Sequence, residues 1–438
     1  MAASKAKKST VRKKSSPAVR RPTVRRTSRH ASWAFFAPVK QFLRILRMVF
    51  FPFATTDRPQ VRHEGQTKKS TPLSRKKTTL PSLSTIKRTE SKKPLNSLLL
   101  RRFRRNPVLA PVPRGHWESK ATFNPSAVYG KGKVHLVYRA IGTDDVSSIG
   151  YATSKNGFSF TSRSPYPVFT ERQRAQQNVT AGPPLSYLSG GGWNGGSEDP
   201  RLTLIGDRIY MLYTSFDGWG SVRIALTSIH LDDLTTDRFH WRAPVYISPM
   251  GEIHKNWVLF PEKIRGKYAI LHAVSPKVSI AYVNDLAEFD GTKHIESVHP
   301  NGTGNAKSWD KMIRGAGPAP LKTKHGWLVL YHAMDTEDPN RYKLGAMLLD
   351  LKNPTIIRAR SHSPILEPDE WYENEGYKSG VVYACGAVIV RGKLLVYYGG
   401  ADKVACVASA PLAPFLKELL ASGMPRQAGA PKVNLRRS

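Results

Sequence analysis

The sequence predicts an all-β fold, a five-bladed β-propeller, preceded by a long, basic, disordered N-terminal region that contains one short amphipathic helix. From about residue 116, aromatic and β-branched runs alternate with Gly, Asn and Asp turns, and a helical period is nearly absent until Leu412–Leu420. One unit recurs five times: a short strand, a turn, an apolar strand that ends in Tyr or His, and a third strand. Repeats of this length built from short strands are typical of propellers, with one blade per repeat.

The five repeats follow one another at roughly even spacing. Their second strands end at Tyr138, Tyr213, His272, His332 and Tyr398. If the strand that opens each repeat faces the propeller axis, one funnel is surrounded by Asn124, Asp199, Asn256, Gly317 and Tyr383. A pair of β-sandwiches is the alternative architecture. The predicted organisation is therefore a basic region at 1–115, a propeller at 116–415, and a helix end with a basic tail at 416–438.

The charge of the chain is concentrated at its N-terminus. Residues 1–115 hold 30 of the 68 Lys and Arg residues but only three of the 32 acidic residues. Ser, Thr and Pro are also frequent there, and such a composition buries too little apolar surface to offset the loss of chain entropy. We therefore expect most of this region to be disordered.

One apolar segment, 33–53, interrupts the basic region. Phe42, Ile45, Leu46 and Val49 have helical spacing, which predicts the short amphipathic helix. Three basic residues inside so short a stretch argue against a membrane-spanning helix. The helix can lie on an anionic membrane surface or dock on the folded domain, and the basic region can also bind nucleic acid without sequence specificity. These alternatives stay open.

The cysteine, histidine and N-terminal residues indicate which cellular compartment and which cofactors to expect. The two cysteines, Cys385 and Cys406, lie in apolar strand-like runs and do not indicate a disulfide framework. The N-terminus has no apolar stretch followed by a small-residue cleavage site, so we expect a cytoplasmic protein, peripheral to the membrane if the segment 33–53 binds lipid. No His-x-x-x-His or Cys-x-x-Cys pattern occurs, and no metal or other cofactor is predicted.

The most distinctive motif is the run Gly-Ser-Glu-Asp-Pro-Arg at 196–201. It places two carboxylates, Glu198 and Asp199, between glycine and proline and beside the cation of Arg201. Acid catalysis needs a carboxyl group held rigidly beside charges that set its proton affinity. The alternative is a turn in which the acids cap backbone amides.

Seven short motifs occur in the order that resembles glycoside hydrolase family 130, the five-bladed propellers that cleave β-mannosides by hydrolysis or phosphorolysis. They are Asn124-Pro125-Ser126, Tyr138-Arg139-Ala140, Glu198-Asp199-Pro200-Arg201, Leu-Phe-Pro-Glu-Lys-Ile at 259–264, Gly-Ala-Gly-Pro at 315–318, Tyr331-His332, and Tyr-Gly-Gly-Ala-Asp at 398–402. The resemblance covers about 115–415 and implies an enzyme with an oligosaccharide substrate.

The resemblance also implies roles for individual residues. Asp199 corresponds to the general acid, which in family phosphorylases acts through a sugar hydroxyl. Asp402 corresponds to the carboxylate that grips the sugar at the cleavage subsite. The same subsite is expected to contain Asn124, Arg139, Arg201, Asn256, Tyr331 and His332. Vicinal hydroxyls need carboxylate acceptors with Arg or Asn donors, and nearby negative charge stabilises an oxocarbenium-like state.

The sequence departs from the phosphorylase pattern where phosphate would bind. Phosphate-using members resemble Arg-Asn and His-Arg at two places where this chain has Lys255-Asn256 and His272-Ala273. Arginine clasps phosphate through two hydrogen bonds, and alanine cannot. Lys255, His272 and Arg314 can still bind an anion. The loss of arginine favours an inverting hydrolase, with a β-mannoside phosphorylase that releases mannose 1-phosphate, and therefore takes inorganic phosphate, as the alternative.

An inverting hydrolase also needs a general base about 6.5–9.5 Å from the acid. Glu373 and Glu375, in an acidic and aromatic loop before the last repeat, are the candidates, with Glu262 as a further one. A third possible function, from another class, is a carbohydrate-binding propeller without catalysis, tethered by its basic region.

Overall fold

The computed structural model describes residues 98–171, 194–218, 221–297 and 309–423. The segment 33–53 and the tail after residue 423 lie outside these residues. The described chain begins with a two-residue strand, β1 (Arg101–Arg102). Five groups of antiparallel strands follow it, in agreement with the predicted five-bladed propeller. No helix among the described residues is long and apolar enough to cross a membrane.

Each of the first two blades contains four strands in chain order. Blade one consists of β2 (Ala121–Gly130), β3 (Lys133–Ile141), β4 (Ser147–Ser154) and β5 (Ser162–Arg163). Blade two consists of β6 (Gly196–Ile205), β7 (Arg208–Phe216), β8 (Val222–His230) and β9 (Val245–Tyr246), with the short helix α1 (Leu231–Thr235) before β9. A single parallel pair, Ser147 with Gly196, joins the two blades.

Blades three to five complete the ring. Blade three contains β10 (Val258–Leu259), β11 (Tyr268–Ala273) and β12 (Ser279–Val283), followed by a 3-10 turn at Leu286–Glu288. Blade four contains β13 (Met312–Ala316), β14 (Leu321–Thr323), β15 (Gly326–Met334), β16 (Lys343–Leu349) and β17 (Ile357–Arg360). The helix α2 (Trp371–Asn374) precedes blade five, which contains β18 (Val382–Val390), β19 (Lys393–Gly400) and β20 (Val404–Pro411), and the helix α3 (Leu412–Ser422) follows it.

The ring is closed by the N-terminal strand. Strand β1 pairs antiparallel with β20, so that Arg101 lies opposite Ser409 and Arg102 opposite Ala408. Leu98 and Leu100 beside it are buried in the core of blade five. The folded region therefore extends at least to Leu98, eighteen residues before the boundary predicted at residue 116. The strand is missed in the sequence because two arginines carry no apolar alternation, and its pairing depends on residues 300 positions away.

The strand nearest the axis carries a β-bulge in four blades. The register shifts between Phe123 and Ser126 in β2 and between Glu198 and Arg201 in β6. Corresponding shifts occur in β13, around Arg314, and in β18, around Cys385. A bulge leaves one strand residue unpaired and re-aims its side chain. These four bulges bring side chains of different blades together at one end of the axis.

A tyrosine, an acid and an arginine recur inside three blades. The phenol of Tyr138 donates a hydrogen bond to Glu118 at 2.9 Å, and Arg163 pairs with the same carboxylate at 2.6 Å. Tyr331 donates to Asp310, which also pairs with Arg360. Tyr398 donates to Glu373, which also pairs with Arg102. In blade two, Tyr213 and Tyr246 both donate to Glu171.

These clusters correct one detail of the predicted repeat. The residue of blade four that corresponds to Tyr138 is Tyr331 and not His332, because both tyrosine rings cover a glycine on the neighbouring strand. A Cβ on Gly150 would lie 2.3 Å from the Tyr138 ring, and one on Gly345 would lie 2.4 Å from the Tyr331 ring. Since side chains of a strand alternate between its two faces, His332 faces the other way.

Candidate active site

The bulges on β2 and β6 bring Asn124 and Asp199 into contact at the axis. Both residues adopt a left-handed backbone, with φ of 49° each, which is uncommon outside glycine. The amide of Asn124 donates a hydrogen bond of 2.7 Å to Oδ1 of Asp199, and Nη1 of Arg139 lies 3.5 Å from the same oxygen. The strained backbone thus holds the Asp199 carboxyl group in one place, as a catalytic group requires.

Glu198, next to Asp199, is fully buried beneath it. Its carboxylate pairs with Nη2 of Arg139 at 2.9 Å and with Nζ of Lys255 at 3.3 Å. Burial raises the pKa of Glu198, and the two cations oppose the rise. Arg139, which is 1% exposed and also donates to Ser147 Oγ, therefore joins blade one to the carboxylate pair of blade two.

The pKa of Asp199 is lower than that of a free aspartate. Burial alone would raise it, but Arg139, Lys255, the hydrogen bond from Asn124, and Arg201 together outweigh burial. Asp199 is thus ionised at neutral pH in the unliganded site. A general acid must hold a proton when the substrate is cleaved, so any acid function of Asp199 needs a change in its surroundings on binding.

The pKa of Asp402, unlike that of Asp199, is higher than that of a free aspartate. The residue lies in the turn between β19 and β20 with φ of 52°, and burial, with the repulsion from Asp199, raises its pKa to about 6 despite the cations of Lys378, Arg139 and Lys255. Within the described part of the chain, no group donates a hydrogen bond to its carboxylate. Asp402 therefore keeps acceptors available for hydroxyl groups at the axis.

Arg201 ties four blades together across the axis. Its guanidinium donates to the carbonyl of Ala316 at 2.7 Å, to the carbonyl of Gly317, to Oδ1 of Asn256 at 2.7 Å and to the Tyr383 hydroxyl at 3.3 Å. The Asn256 amide in turn donates to the Arg314 carbonyl at 2.7 Å. Both side chains were predicted to bind substrate, and in the structure their polar groups make these contacts within the protein, as positioning residues do.

His332 and Tyr383 form the wall beside Arg201. Their rings are parallel with centroids 4.1 Å apart, and His332 is completely buried. Burial, reinforced by Arg201, lowers the pKa of His332 to about 3, while Asp199 and the Ala384 backbone oppose the shift. His332 is therefore neutral at every pH at which the protein would be assayed. Its proximity to Arg201 and Asp199 places it at the axis.

One cation that the sequence analysis missed, Lys378, lies near Asp402, and it shares Tyr342 as a neighbour with Arg314, which was predicted to bind an anion. The ammonium of Lys378 lies 4.5 Å from the ring centre of Tyr342, which packs on Tyr383 at 5.9 Å. Arg314 interacts with the hydroxyl of the same tyrosine. Lys378 follows the acidic and aromatic loop before the last repeat. Its position near Asp402 depends on how that loop packs against the axis, which the sequence does not indicate.

The other predicted site residues do not join this group. Glu373 is buried and accepts hydrogen bonds from Arg102, Tyr398 and the amides of Asp369 and Glu370. Glu375 is exposed on the loop after α2. Tyr331 belongs to the Asp310–Arg360 cluster. His272 contacts Ser297 Oγ at 2.8 Å and the Trp257 ring, and Glu262 pairs with Lys322 on the surface.

These placements bear directly on the expected general base. The Glu373 carboxylate has the same surroundings as Glu118 and Asp310 in the other blades, so its position is explained by the repeat. Glu262 and Glu375 are exposed, and no described contact connects either with Asp199. Among the described residues, no three His, Cys, Asp or Glu side chains gather in a way that would hold a metal ion.

The two ends of the axis differ in chemistry. Further along β2, β6 and β18, beyond the bulges, an apolar cavity of about 180 Å³ is lined by residues that include Ala127, Leu202, Pro318 and Val388. The buried Ser126 separates the two ends, since its hydroxyl donates to the Cys385 carbonyl and accepts from the Leu202 amide. The end that holds Asp199 and Asp402 is therefore the more polar of the two.

Sequence comparison finds relatives along the whole described region. The family model described as beta-1,4-mannooligosaccharide phosphorylase matches residues 99–419. A 1,2-beta-oligomannan phosphorylase from Thermoanaerobacter sp. is 38% identical over 319 residues, which cover 70% of this chain and 96% of the relative. A beta-1,2-mannobiose phosphorylase from the same organism is 37% identical and is covered to 94%.

Solved structures give the same result. A beta-1,2-mannobiose phosphorylase from Listeria innocua, in complex with beta-1,2-mannobiose, superposes with a TM-score of 0.55 at 27% identity, over 74% of this chain and 99% of that one. A glycosyl hydrolase from Bacteroides ovatus shares the fold, with a TM-score of 0.57 at 24% identity, over 71% of this chain and 93% of that one. The chain belongs to glycoside hydrolase family 130, which confirms the family resemblance and the predicted enzyme class.

Proposed function

We propose that the protein is a phosphorylase of β-1,2-linked mannosides, which uses inorganic phosphate to release mannose 1-phosphate from an oligosaccharide. The observation that carries this proposal is the pair of phosphorylase relatives that are 37–38% identical over 94–96% of their own length. It favours the phosphorylase alternative over the hydrolase that the missing arginines suggest. The β-1,2 linkage follows from the names of the same relatives.

The surroundings of the acidic residues support this choice. A hydrolase needs a carboxylate that activates water on the face opposite the acid. Glu373 is occupied by Arg102 and Tyr398, and Glu375 and Glu262 are exposed on the surface. Phosphate brings its own nucleophilic oxygen and needs no such base. Cations rather than carboxylates are the groups that a phosphorylase needs there, and the axis supplies Lys255, Arg314 and Lys378.

The reaction balances with one acid. A phosphate oxygen forms a bond to C1 of the mannose as the bond from C1 to the leaving oxygen breaks, with inversion. Asp199 supplies a proton toward the leaving oxygen through a sugar hydroxyl, and hydrogen phosphate loses one proton, which restores Asp199. Asp402 accepts hydrogen bonds from the sugar, and Asn124 orients the Asp199 carboxyl group.

Bound phosphate would also explain how Asp199, which is ionised in the empty site, gains the proton that a general acid needs. The cations Arg139, Lys255 and Arg201 keep the carboxyl ionised in the empty site. A bound phosphate dianion places negative charge among these cations, and the sugar excludes water, so both raise the pKa of Asp199. Phosphate therefore favours the protonated acid, whereas without phosphate the cations favour the ionised form, which cannot assist attack by water.

The test is product analysis with the full-length protein. We expect β-1,2-mannobiose to give mannose 1-phosphate and mannose in equal amounts when phosphate is present, and no turnover without it, as followed by ³¹P and ¹H NMR. Free mannose as the only product, formed at a rate independent of phosphate, would show a hydrolase. Sugar binding without turnover under any condition would show the non-catalytic alternative.

A further inference from the structure

We propose that Glu198 is a positioning residue for the general acid: its carboxylate fixes the cations of Arg139 and Lys255 beside Asp199 and offsets part of their charge. This inference rests on the proposed function, in which Asp199 is the acid. The Glu198 side chain is fully buried beneath Asp199, so it acts on the reaction through these neighbours.

The bulge in β6 places two neighbouring carboxylates on one guanidinium. In a regular strand, successive side chains point to opposite faces of the sheet. The register of β6 shifts after Glu198, and the next residue, Asp199, has a left-handed backbone. Nη2 of Arg139 therefore pairs with Glu198 at 2.9 Å, while Nη1 of the same group lies 3.5 Å from Asp199. The backbone thus makes Arg139 a shared partner of the acid and of Glu198.

The Arg139 guanidinium is fixed on its other sides. Its Nε donates a hydrogen bond of 3.1 Å to Ser147 Oγ, and the guanidinium carbon lies 4.8 Å from the ring centre of Phe123. Glu198 holds Nη2, which leaves Nη1 to face Asp199. Loss of the Glu198 charge would therefore strengthen the attraction between this guanidinium and Asp199.

The second oxygen of Glu198 holds a cation from blade three. Oε2 lies 3.3 Å from the Lys255 ammonium. The next residue, Asn256, has φ of 67° and accepts a hydrogen bond from Arg201, which fixes the backbone that carries Lys255. Each Glu198 oxygen thus has its own cation, and Glu198 connects blades one, two and three directly beside the acid.

Stability alone does not explain a second carboxylate at this place. Burial of a carboxylate costs free energy that an ion pair often does not return, and Asp199 repels Glu198 as well. The repulsion is mutual, so Glu198 favours the protonated form of Asp199. Arg139, Lys255 and Arg201 act in the opposite direction. Glu198 therefore limits how far these cations lower the pKa of Asp199.

Other charged or titratable groups face Asp199 from all five blades. Burial lowers the pKa of His332 and raises those of Tyr383 and Cys385, so these three groups are neutral near neutral pH. Asp402, with a pKa of about 6, changes charge on the acidic side of neutrality. The groups that face Asp199, besides Glu198, are Arg139, Arg201, Lys255, His332, Tyr383, Cys385 and Asp402.

The test compares the pH dependence of kcat in the full-length protein and in the variant E198Q, at saturating β-1,2-mannobiose and phosphate. Because the reaction needs protonated Asp199, kcat falls as the pH rises through the pKa of Asp199 in the complex, and this fall is the alkaline limb. E198Q removes a negative charge and lowers that pKa. We expect the alkaline limb to move by about one pH unit to lower pH, which makes kcat on the limb about tenfold lower. At lower pH, kcat should stay within about threefold of wild type. The ionisation of phosphate is the same in both assays.

Two further variants separate charge from packing. E198D keeps the charge on a shorter side chain, so its alkaline limb should stay at the wild-type position even if the protein melts earlier. The matched control is E118Q, because Glu118 is also buried and pairs with an arginine, Arg163, at 2.6 Å. E118Q should lower the melting temperature and leave the alkaline limb in place.

Circular dichroism melting curves show whether each variant is folded. The inference is overturned if folded E198Q has the wild-type alkaline limb, or if it loses kcat by the same factor at every pH, as a merely structural residue would. A shift of one pH unit in folded E198D, where the charge is kept, overturns it as well. These results would leave phosphate-dependent turnover by the wild type intact, whereas absence of that turnover would overturn the proposed function itself.

Discussion

Replacement of Glu373 by alanine separates a structural acid from a catalytic one. Glu373 is completely buried and receives hydrogen bonds from Arg102 Nε at 2.8 Å, from the Tyr398 hydroxyl at 2.8 Å, and from the amides of Asp369 and Glu370. Arg102 belongs to β1, the strand that closes the ring. The structure therefore assigns Glu373 to closure of the propeller, whereas the sequence made it a candidate base.

The expected loss of stability follows from the partners that are left behind. Removal of one member of a buried ion pair costs about 3–5 kcal/mol. The Arg102 side chain is 20% exposed, so water compensates part of its charge, but the Tyr398 hydroxyl and two amides lose their acceptor as well. We expect a loss of about 3–4 kcal/mol, which for a domain of this size lowers the unfolding temperature by about 5 °C.

The assay pairs denaturation with kinetics below the transition. The E373A variant should unfold about 5 °C earlier while its kcat stays within about threefold of wild type, and E373Q should be intermediate in stability. E375A, on the exposed part of the same loop, is the control and should change neither quantity. Loss of a general base lowers kcat about 10²–10⁴-fold. A loss of that size with an unchanged melting temperature would refute the structural assignment.

Three other changes have clear expected outcomes. D199N should lower kcat at least about 10²-fold in a protein that still folds, since it removes the proton donor and keeps the shape; its unfolding temperature at neutral pH should fall, because the surrounding cations stabilise the ionised carboxyl group, and retained kcat would exclude Asp199. D402N should raise the KM for mannobiose and stabilise the protein by about 2–3 kcal/mol at pH 8, because a folded pKa of about 6 means that ionised Asp402 destabilises the fold. In urea titrations this gain should shrink as the pH falls through 6 and vanish near pH 4, the unfolded value; a gain that is constant with pH would contradict it. G150A should destabilise the fold by about 1–3 kcal/mol, since its Cβ would meet the Tyr138 ring at 2.3 Å; equal stability in denaturation would show that the ring moves freely.

Local sequence patterns predicted the blades well, because short segments of sequence are enough to encode strands, hairpin turns and repeats. Asn124, Asp199 and Asn256 were placed at one funnel from the repeat alone, and their contacts with Arg139, Arg201 and Tyr383 link them there. Gly317 also lies there, through its carbonyl, which accepts from Arg201. Repetition gives equivalent positions without any knowledge of the contacts.

The sheet face on which a side chain lies and the residues that it contacts were harder to predict than the type of secondary structure. Tyr331 and His332 differ by one position, and only the observed register decides which of them faces the axis, because successive residues point to opposite faces. A β-bulge earlier in the strand changes which of the two residues faces the axis, and the amino-acid composition does not indicate where the bulge lies. The role of Glu373 depends on Arg102, 271 positions away, and the position of Lys378 depends on its amide bond to Ala401. Such long-range contacts leave no local pattern.

Under the proposed phosphorylase function, the arginines missing at positions 255 and 273 need not prevent phosphate binding. Electrostatically, the site needs positive potential at one place, and side chains from any blade can supply it. The cations of blades one to three already lower the pKa of Asp199, and a further cationic pair faces Tyr342. Under the proposed function, a phosphate bound among these cations would offset the potential at Asp199 and let it accept a proton. On this argument the substitution of lysine at position 255 weakens one contact but leaves the link between nucleophile binding and acid protonation. Water cannot replace the anion in that link, which is a physical reason for phosphorolysis to dominate over hydrolysis in a site of this charge.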